Sequence, residues 1–477
     1  MSTAIPNRFG SIRRWGFFFA FGLAASVSVF SGDLRGSGSM QIRWNSEASQ
    51  LSASIERVPL SRVLGRVARL TGWKVLIEPG SDRLVSVVLT NQPTGVWLPR
   101  VLGDFSFAFV PGSTAGGRTL RIYRTQAEAA TDTIAPLEEE EYQIRPGPIP
   151  NELIVRFKPG AKLTPEELAK RLGAKLVGRL DDLNTYRLRF ETAADATAAR
   201  EQLRGISEIA GVESNVRLPI PEAGAAGAGN GASISLRARG GSEKDQVVVA
   251  LIDTAVQPLG NSLESFLLSR VSVADGTPVN DGSPTHGTVM SQNILQGVSQ
   301  IEASGDGTKV RILPVDVYGS EPATTTWNVI RGLEAAAAKG ATVFNLSLGG
   351  TEDSPLLDSV IASIRAQGGL VLAATGNSPG TFLTYPAASP GALGVTAVDA
   401  SGIPADYANT GPQARLAGPG STLIQYGGQT WLTKGTSGAT AWVSGLAAGW
   451  MSKTGSGSIQ AGQWLQVAVP FKPPGSP

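Results

Sequence analysis

Val247-Val-Val-Ala-Leu-Ile252-Asp253 is an unbroken apolar run that ends on a carboxylate, with no alternation of polar and apolar positions. A strand that shows neither face to water reads this way, and such strands belong to parallel sheets covered on both sides. Residues 310–315, 342–346, 370–374 and 393–398 have the same character, and residues 286–297, 325–339 and 355–367 between them carry helical patterns. Strands alternating with helices predict an α/β fold, a parallel sheet with helices on both faces. In that fold the reacting groups collect at the carboxyl ends of the strands. Asp253 stands where the first strand reaches that edge.

The chain of 477 residues contains one histidine, His286, and no cysteine. A cysteine nucleophile and a multi-histidine zinc site are therefore both excluded. The balance of 41 basic against 39 acidic residues, net +2, gives no basic field for nucleic acid. Imidazole is the side chain whose charge changes near neutral pH, so any histidine base must be His286. It lies in Ser283-Pro-Thr-His286-Gly-Thr288, at the start of a predicted helix.

Two further residues complete a constellation. Ser437, in Gly435-Thr-Ser437-Gly-Ala-Thr440, opens a helix of small residues. A serine there is ordinarily a cap, but as a nucleophile it would gain from the helix's positive end. Asn377, in Ala373-Ala-Thr-Gly376-Asn377, follows another buried strand and could donate its amide to an oxyanion. The order Asp253, His286, Ser437 is one of the unrelated orders in which a catalytic triad recurs. An α/β-hydrolase would need its histidine after its serine, and none follows Ser437.

On these motifs, together with Asn345-Leu-Ser-Leu-Gly-Gly350, residues 246–455 resemble a subtilisin-like (S8 family) serine peptidase. The resemblance implies a serine endopeptidase with Asp253, His286 and Ser437 as triad and Asn377 in the oxyanion hole. It makes Ser347, Leu348 and Gly349 an edge that binds a substrate backbone as an added strand. The implied partners are polypeptide substrates and the chain's own propeptide as an intramolecular inhibitor. No cofactor is called for, and structural calcium is what the family would add; Asp275, Asp281 and Asp306 are the candidate oxygen ligands, without the spacing of a calcium loop. The departures from the pattern are Ala255 where glycine is usual, Val289-Met290 in place of a second histidine, and Ala439 and Ala441 after the serine. They motivate an alternative, a catalytically impaired peptide-binding module of the envelope.

Two small α+β domains precede the catalytic one. Residues 1–32, with Arg8, Arg13 and Arg14 before an apolar run, read as an export signal, implying a secreted, periplasmic or envelope-associated protein. Residues 50–125 begin with an amphipathic helix entered at Pro59, and resemble the short N-terminal domain of secretins and TonB-dependent receptors, which implies an envelope partner. Pro99 is expected to interrupt the second helix of that unit. Residues 138–222 follow a βαββαβ pattern with a capping box at Thr164-Pro-Glu-Glu167, and resemble the family's propeptide. Residues 223–245 read as a flexible linker, with self-cleavage expected between Glu222 and Gln246. Residues 456–477 read as a C-terminal tail.

Overall fold

The computed structural model describes residues 40–45, 49–111, 118–137, 146–221, 225–226, 234–240, 242, 245–276, 283–302 and 307–473. The expected export signal, most of the acidic joint before residue 146, Asp281 and Asp306 lie outside them. Residues 1–143 and 144–477 form two units.

In the first unit, α1 (Leu60–Thr71) starts after Pro59 and stops at Gly72, whose φ of 71° closes the helix in the left-handed conformation. Its Leu60, Val63, Leu64 and Val67 are buried, as the apolar stripe requires. They pack with two sheets: β1 (Met40–Asn45), β2 (Gln50–Pro59) and β4 (Leu84–Pro93) in one, and β5 (Ser106–Pro111), β6 (Arg118–Tyr123), β3 (Lys74–Ile77) and β7 (Asp132–Ile134) in the other. The expected break at Pro99 does not occur: α2 (Thr94–Leu102) runs through it. Proline removes one i to i−4 bond and its ring presses on the carbonyl four residues back. Here that residue is Gly95, and burial of Trp97, Leu98, Val101 and Leu102 holds the short helix together.

The second unit begins with β8 (Gly147–Phe157), α3 (Pro165–Leu172), β9 (Lys175–Leu180), β10 (Thr185–Arg189), α4 (Ala193–Arg204) and β11 (Ile209–Pro219). The strands lie in the order β11-β8-β10-β9, and Thr164 and Glu167 exchange both capping-box bonds at the start of α3.

The large sheet follows, in the order β14-β15-β13-β17-β18-β19-β20, and all its neighbouring strands run parallel. Its strands are β13 (Val247–Asp253), β14 (Val271–Ser272), β15 (Val310–Asp316), β17 (Val343–Leu346), β18 (Leu370–Ala374), β19 (Ala392–Val398) and β20 (Ala414–Pro419). One face is covered by α5 (His286–Ile301), α8 (Thr436–Thr454) and α9 (Ser458–Ala468), the other by α6 (Thr326–Ala338) and α7 (Pro355–Ala366). The α/β architecture expected from the alternating pattern, a parallel sheet with helices on both faces, is thus present.

Helices α5 and α8 approach closely because glycine faces backbone at the crossing. A Cβ on Gly445 would stand 1.9 Å from the Ile294 carbonyl oxygen, and one on Gly297 2.0 Å from that of Trp442. The pairing packs together the two helices that carry His286 and Ser437, each at or next to its helix's first turn. Much of the expected tail belongs to the same core. Leu465 and Ala461 of α9 are buried there, and Trp464 stacks on Trp450 with centroids 5.4 Å apart.

Candidate active site

Asp253 ends β13 and is 1% exposed; the His286 side chain, on the first residue of α5, is fully buried against it. His286 Nδ1 lies 2.7 and 2.9 Å from the two Asp253 carboxylate oxygens. The Thr254 N–H also donates to Asp253 Oδ1, at 2.7 Å, which fixes the carboxylate against the strand end. With Nδ1 turned to the acid, Nε2 is the ring atom left to act. It is buried and has no hydrogen-bond partner among the described residues.

Ser437 is the second residue of α8. Its Oγ donates to the Ser347 carbonyl at 3.1 Å, and Ser347 Oγ donates back to the Ser437 carbonyl at 3.0 Å. The structure therefore unites Asp253 with His286, and Ser437 with Ser347, while the serine hydroxyl is bonded to Ser347 and not to the imidazole. Asn377 stands beside the same helix start. Its Oδ1 accepts from the Thr436 N–H at 2.8 Å and the Thr436 hydroxyl at 3.0 Å, and the residue is exposed. Gly435, with φ at 146°, leaves room for this amide, since a Cβ there would meet Asn377 Nδ2 at 2.9 Å.

Of the expected backbone-binding edge, Ser347 is turned inward to Ser437 and Leu348 is buried in the core. Gly350 beyond them exchanges backbone bonds with Tyr385 at 2.9 and 2.8 Å. A neighbouring edge, β16 (Ala323–Thr325), already carries a strand: β11 pairs antiparallel with it through Arg217, Leu218 and Pro219. The Ile220 N–H then donates to the Pro322 carbonyl, and the Tyr318 hydroxyl donates to the Pro219 carbonyl at 3.3 Å. Burial pushes the Tyr318 phenol well above its ordinary pKa, with a further push from the Asp253 charge. Burial also holds the Asp316 carboxyl above the usual range, against the two backbone N–H groups of Tyr318 and Gly319 that it accepts.

Strand β11 also reaches two helix starts. Asn215 Oδ1 accepts from Trp327 N–H at 3.1 Å at the start of α6, while its Nδ2 donates to the buried Glu152 at 2.8 Å. Glu213 accepts from Ser354 Oγ at 2.6 Å and Leu356 N–H at 2.9 Å at the start of α7. Acceptors at helix N-termini answer the unpaired N–H groups there.

Residues 244–467 match the Subtilase family, and residues 137–215 match the fervidolysin N-terminal prodomain. M-protease of Shouchella clausii is 30% identical over 42% of this chain and 53% of its own length, so the chain spans about half of that relative. Subtilisin BL of Lederbergia lenta is 30% identical over 42% of this chain and 75% of its own length. The chain belongs to the subtilase family. Fervidolysin of Fervidobacterium pennivorans, a keratinolytic enzyme related to subtilisin, covers 65% of the subtilase chain and 55% of its own, with a TM-score of 0.51 and 18% identity, a likeness of fold.

Several site residues of this subtilase escaped the sequence. Thr436 holds Asn377 and receives the Gly376 N–H at 3.0 Å, but a threonine beside a helix start carries no signal of its own. The pairing of β11 with β16 depends on contacts remote in sequence. The expected linker is partly bonded to the catalytic unit: β12 (Ala225–Ala226) pairs with β22 (Gln429–Lys434), and the Arg239 N–H donates to the Thr308 carbonyl. Among the described residues no group of three or more histidine, cysteine or acidic side chains could hold a metal. Nor is any described helix long and apolar enough to cross a membrane.

Proposed function

We propose that this subtilase is an exported, self-processing serine endopeptidase with Asp253, His286 and Ser437 as its triad. The observation that carries the reading is the two-oxygen contact between Asp253 and His286 Nδ1, which leaves Nε2 without a hydrogen-bond partner among the described residues. Asp253 fixes the tautomer and stabilises the imidazolium as it forms. Ser437 Oγ turns from the Ser347 carbonyl to Nε2, gives up its proton there and attacks the scissile carbonyl. The oxyanion is held by the Asn377 amide and the Ser437 N–H. The imidazolium then protonates the leaving amine, the C–N bond breaks, and water, deprotonated by His286, releases the acyl group.

Substrate backbone is bound as a strand along Ser347-Leu348-Gly349. Residues 138–222 serve as the inhibitory propeptide, supported by the strand they add to β16 and by the prodomain match. Export rests on the N-terminal run and on the unit around residues 50–125, read as a module that docks to an envelope partner.

A second reading, a peptide-binding module with impaired catalysis, is favoured by the bond from Ser437 to the Ser347 carbonyl. Purified wild-type and Ser437→Ala chains incubated with an unfolded protein substrate separate the two. The peptidase reading expects fragments from the wild type alone. Retention of intact substrate by both chains would establish the second reading.

A further inference from the structure

We infer that Gln257 is a positioning residue that sets His286 against Asp253, an inference that rests on the triad proposed above. Gln257 lies on the loop that leaves β13 just after Asp253, is 8% exposed, and its carboxamide is fully engaged by the turn that carries the histidine. Its Oε1 accepts from the Thr285 N–H at 2.8 Å and from Thr288 Oγ1 at 3.0 Å. Its Nε2 donates to the Ser283 carbonyl at 3.0 Å, and its backbone N–H donates to Thr288 Oγ1 at 2.8 Å. Thr285 returns the link, its hydroxyl donating to the Ala255 carbonyl at 2.6 Å.

These bonds tie residues 255–257, which follow the acid, to residues 283–288, which bracket the base. Gln257 makes these bonds to the turn and not to the imidazole; it holds the peptide unit that joins Pro284 to Thr285, one residue before His286. A carboxamide suits the task because it accepts and donates at once without introducing a charge. Ala255 and Val289, two departures from the family pattern, adjoin this network in the chain. Displacement of a catalytic group by about 1 Å can cost on the order of a hundredfold in rate, so such a brace would act on turnover.

The test uses the full chain. Gln257→Leu keeps the bulk and removes every side-chain bond; Gln257→Glu keeps the acceptors; Thr288→Val removes the hydroxyl at the centre of the network. We expect Gln257→Leu and Thr288→Val to lower kcat on a peptide substrate ten- to a hundredfold with KM within about twofold. Gln257→Glu should recover part of the loss. Because His286 is the only imidazole, its Nδ1 proton resonance in Ser437→Ala chains can be read without assignment, and Gln257→Leu should move or broaden it.

Unchanged kcat and an unchanged resonance in folded Gln257→Leu would overturn the inference while leaving the triad intact. Should Gln257→Leu not fold, Thr288→Val decides by the same two readouts. If His286→Ala kept full activity, the triad itself would fall, and the brace with it.

Discussion

At the residue scale the chemistry depends on how few atoms are left free. Both Asp253 oxygens face Nδ1, so the imidazole has one nitrogen to offer. In subtilisin, a relative of this chain, loss of the serine or the histidine alone costs about a million-fold in kcat, and removal of both adds little. The same is expected here: Ser437→Ala, His286→Ala and the double variant should show equal residual rates in single-turnover assays. Asn377→Ala should lower kcat by about a hundred- to a thousandfold with little effect on KM, since the amide acts on the oxyanion; that magnitude too was measured in subtilisin. The proposed triad of Asp253, His286 and Ser437 could be drawn from the sequence because acid, imidazole and hydroxyl each follow a strand end or open a helix. Thr436 and Gln257 were not, because they act through backbone groups that any polar side chain could address.

At the element scale, two contacts set the site. Helices α5 and α8 touch through Gly297 and Gly445, and a methyl at Gly445 has no room beside the Ile294 carbonyl. Gly445→Ala should therefore cost about 1–3 kcal/mol or more of stability in thermal or denaturant unfolding. It should also lower kcat, because the helices carry His286 and Ser437. The second contact is strand β11 on the starts of α6 and α7. Burial raises the Glu213 carboxyl above the usual range, outweighing the bonds it accepts from Ser354 and Leu356. The docked strand thus binds a proton more readily than the free one. This contribution is present in full below the ordinary carboxylate pKa and is lost as pH rises through the raised one. After cleavage, the prodomain should be held more tightly at mildly acidic than at neutral pH, and Glu213→Gln should flatten that part of the profile in a binding titration.

At the scale of the whole molecule, the strand pattern after Val247 was readable because a doubly covered sheet needs uninterrupted apolar runs. Boundaries were less so. The chain's end was read as a tail, since glycine and proline flank it, yet Trp464 and Leu465 bury as helix α9. The stretch after Glu222 was read as a flexible linker, yet Ala225–Ala226 pair with β22, and Arg237 and Arg239 bond to Thr308. Both errors have one cause: local composition cannot report a surface formed by distant residues. N-terminal sequencing of the active chain should still find a new terminus between Glu222 and Gln246; an active chain carrying the prodomain uncut would refute self-processing. The central claim, that Ser437 is a nucleophile activated by a solitary histidine, is tested most directly with a fluorophosphonate, which bonds covalently to an activated serine. Mass spectrometry should place the adduct on the Ser437 peptide of the wild type, with none in Ser437→Ala and almost none in His286→Ala. Equal labelling of the wild type and the two variants, or of none of them, would contradict it.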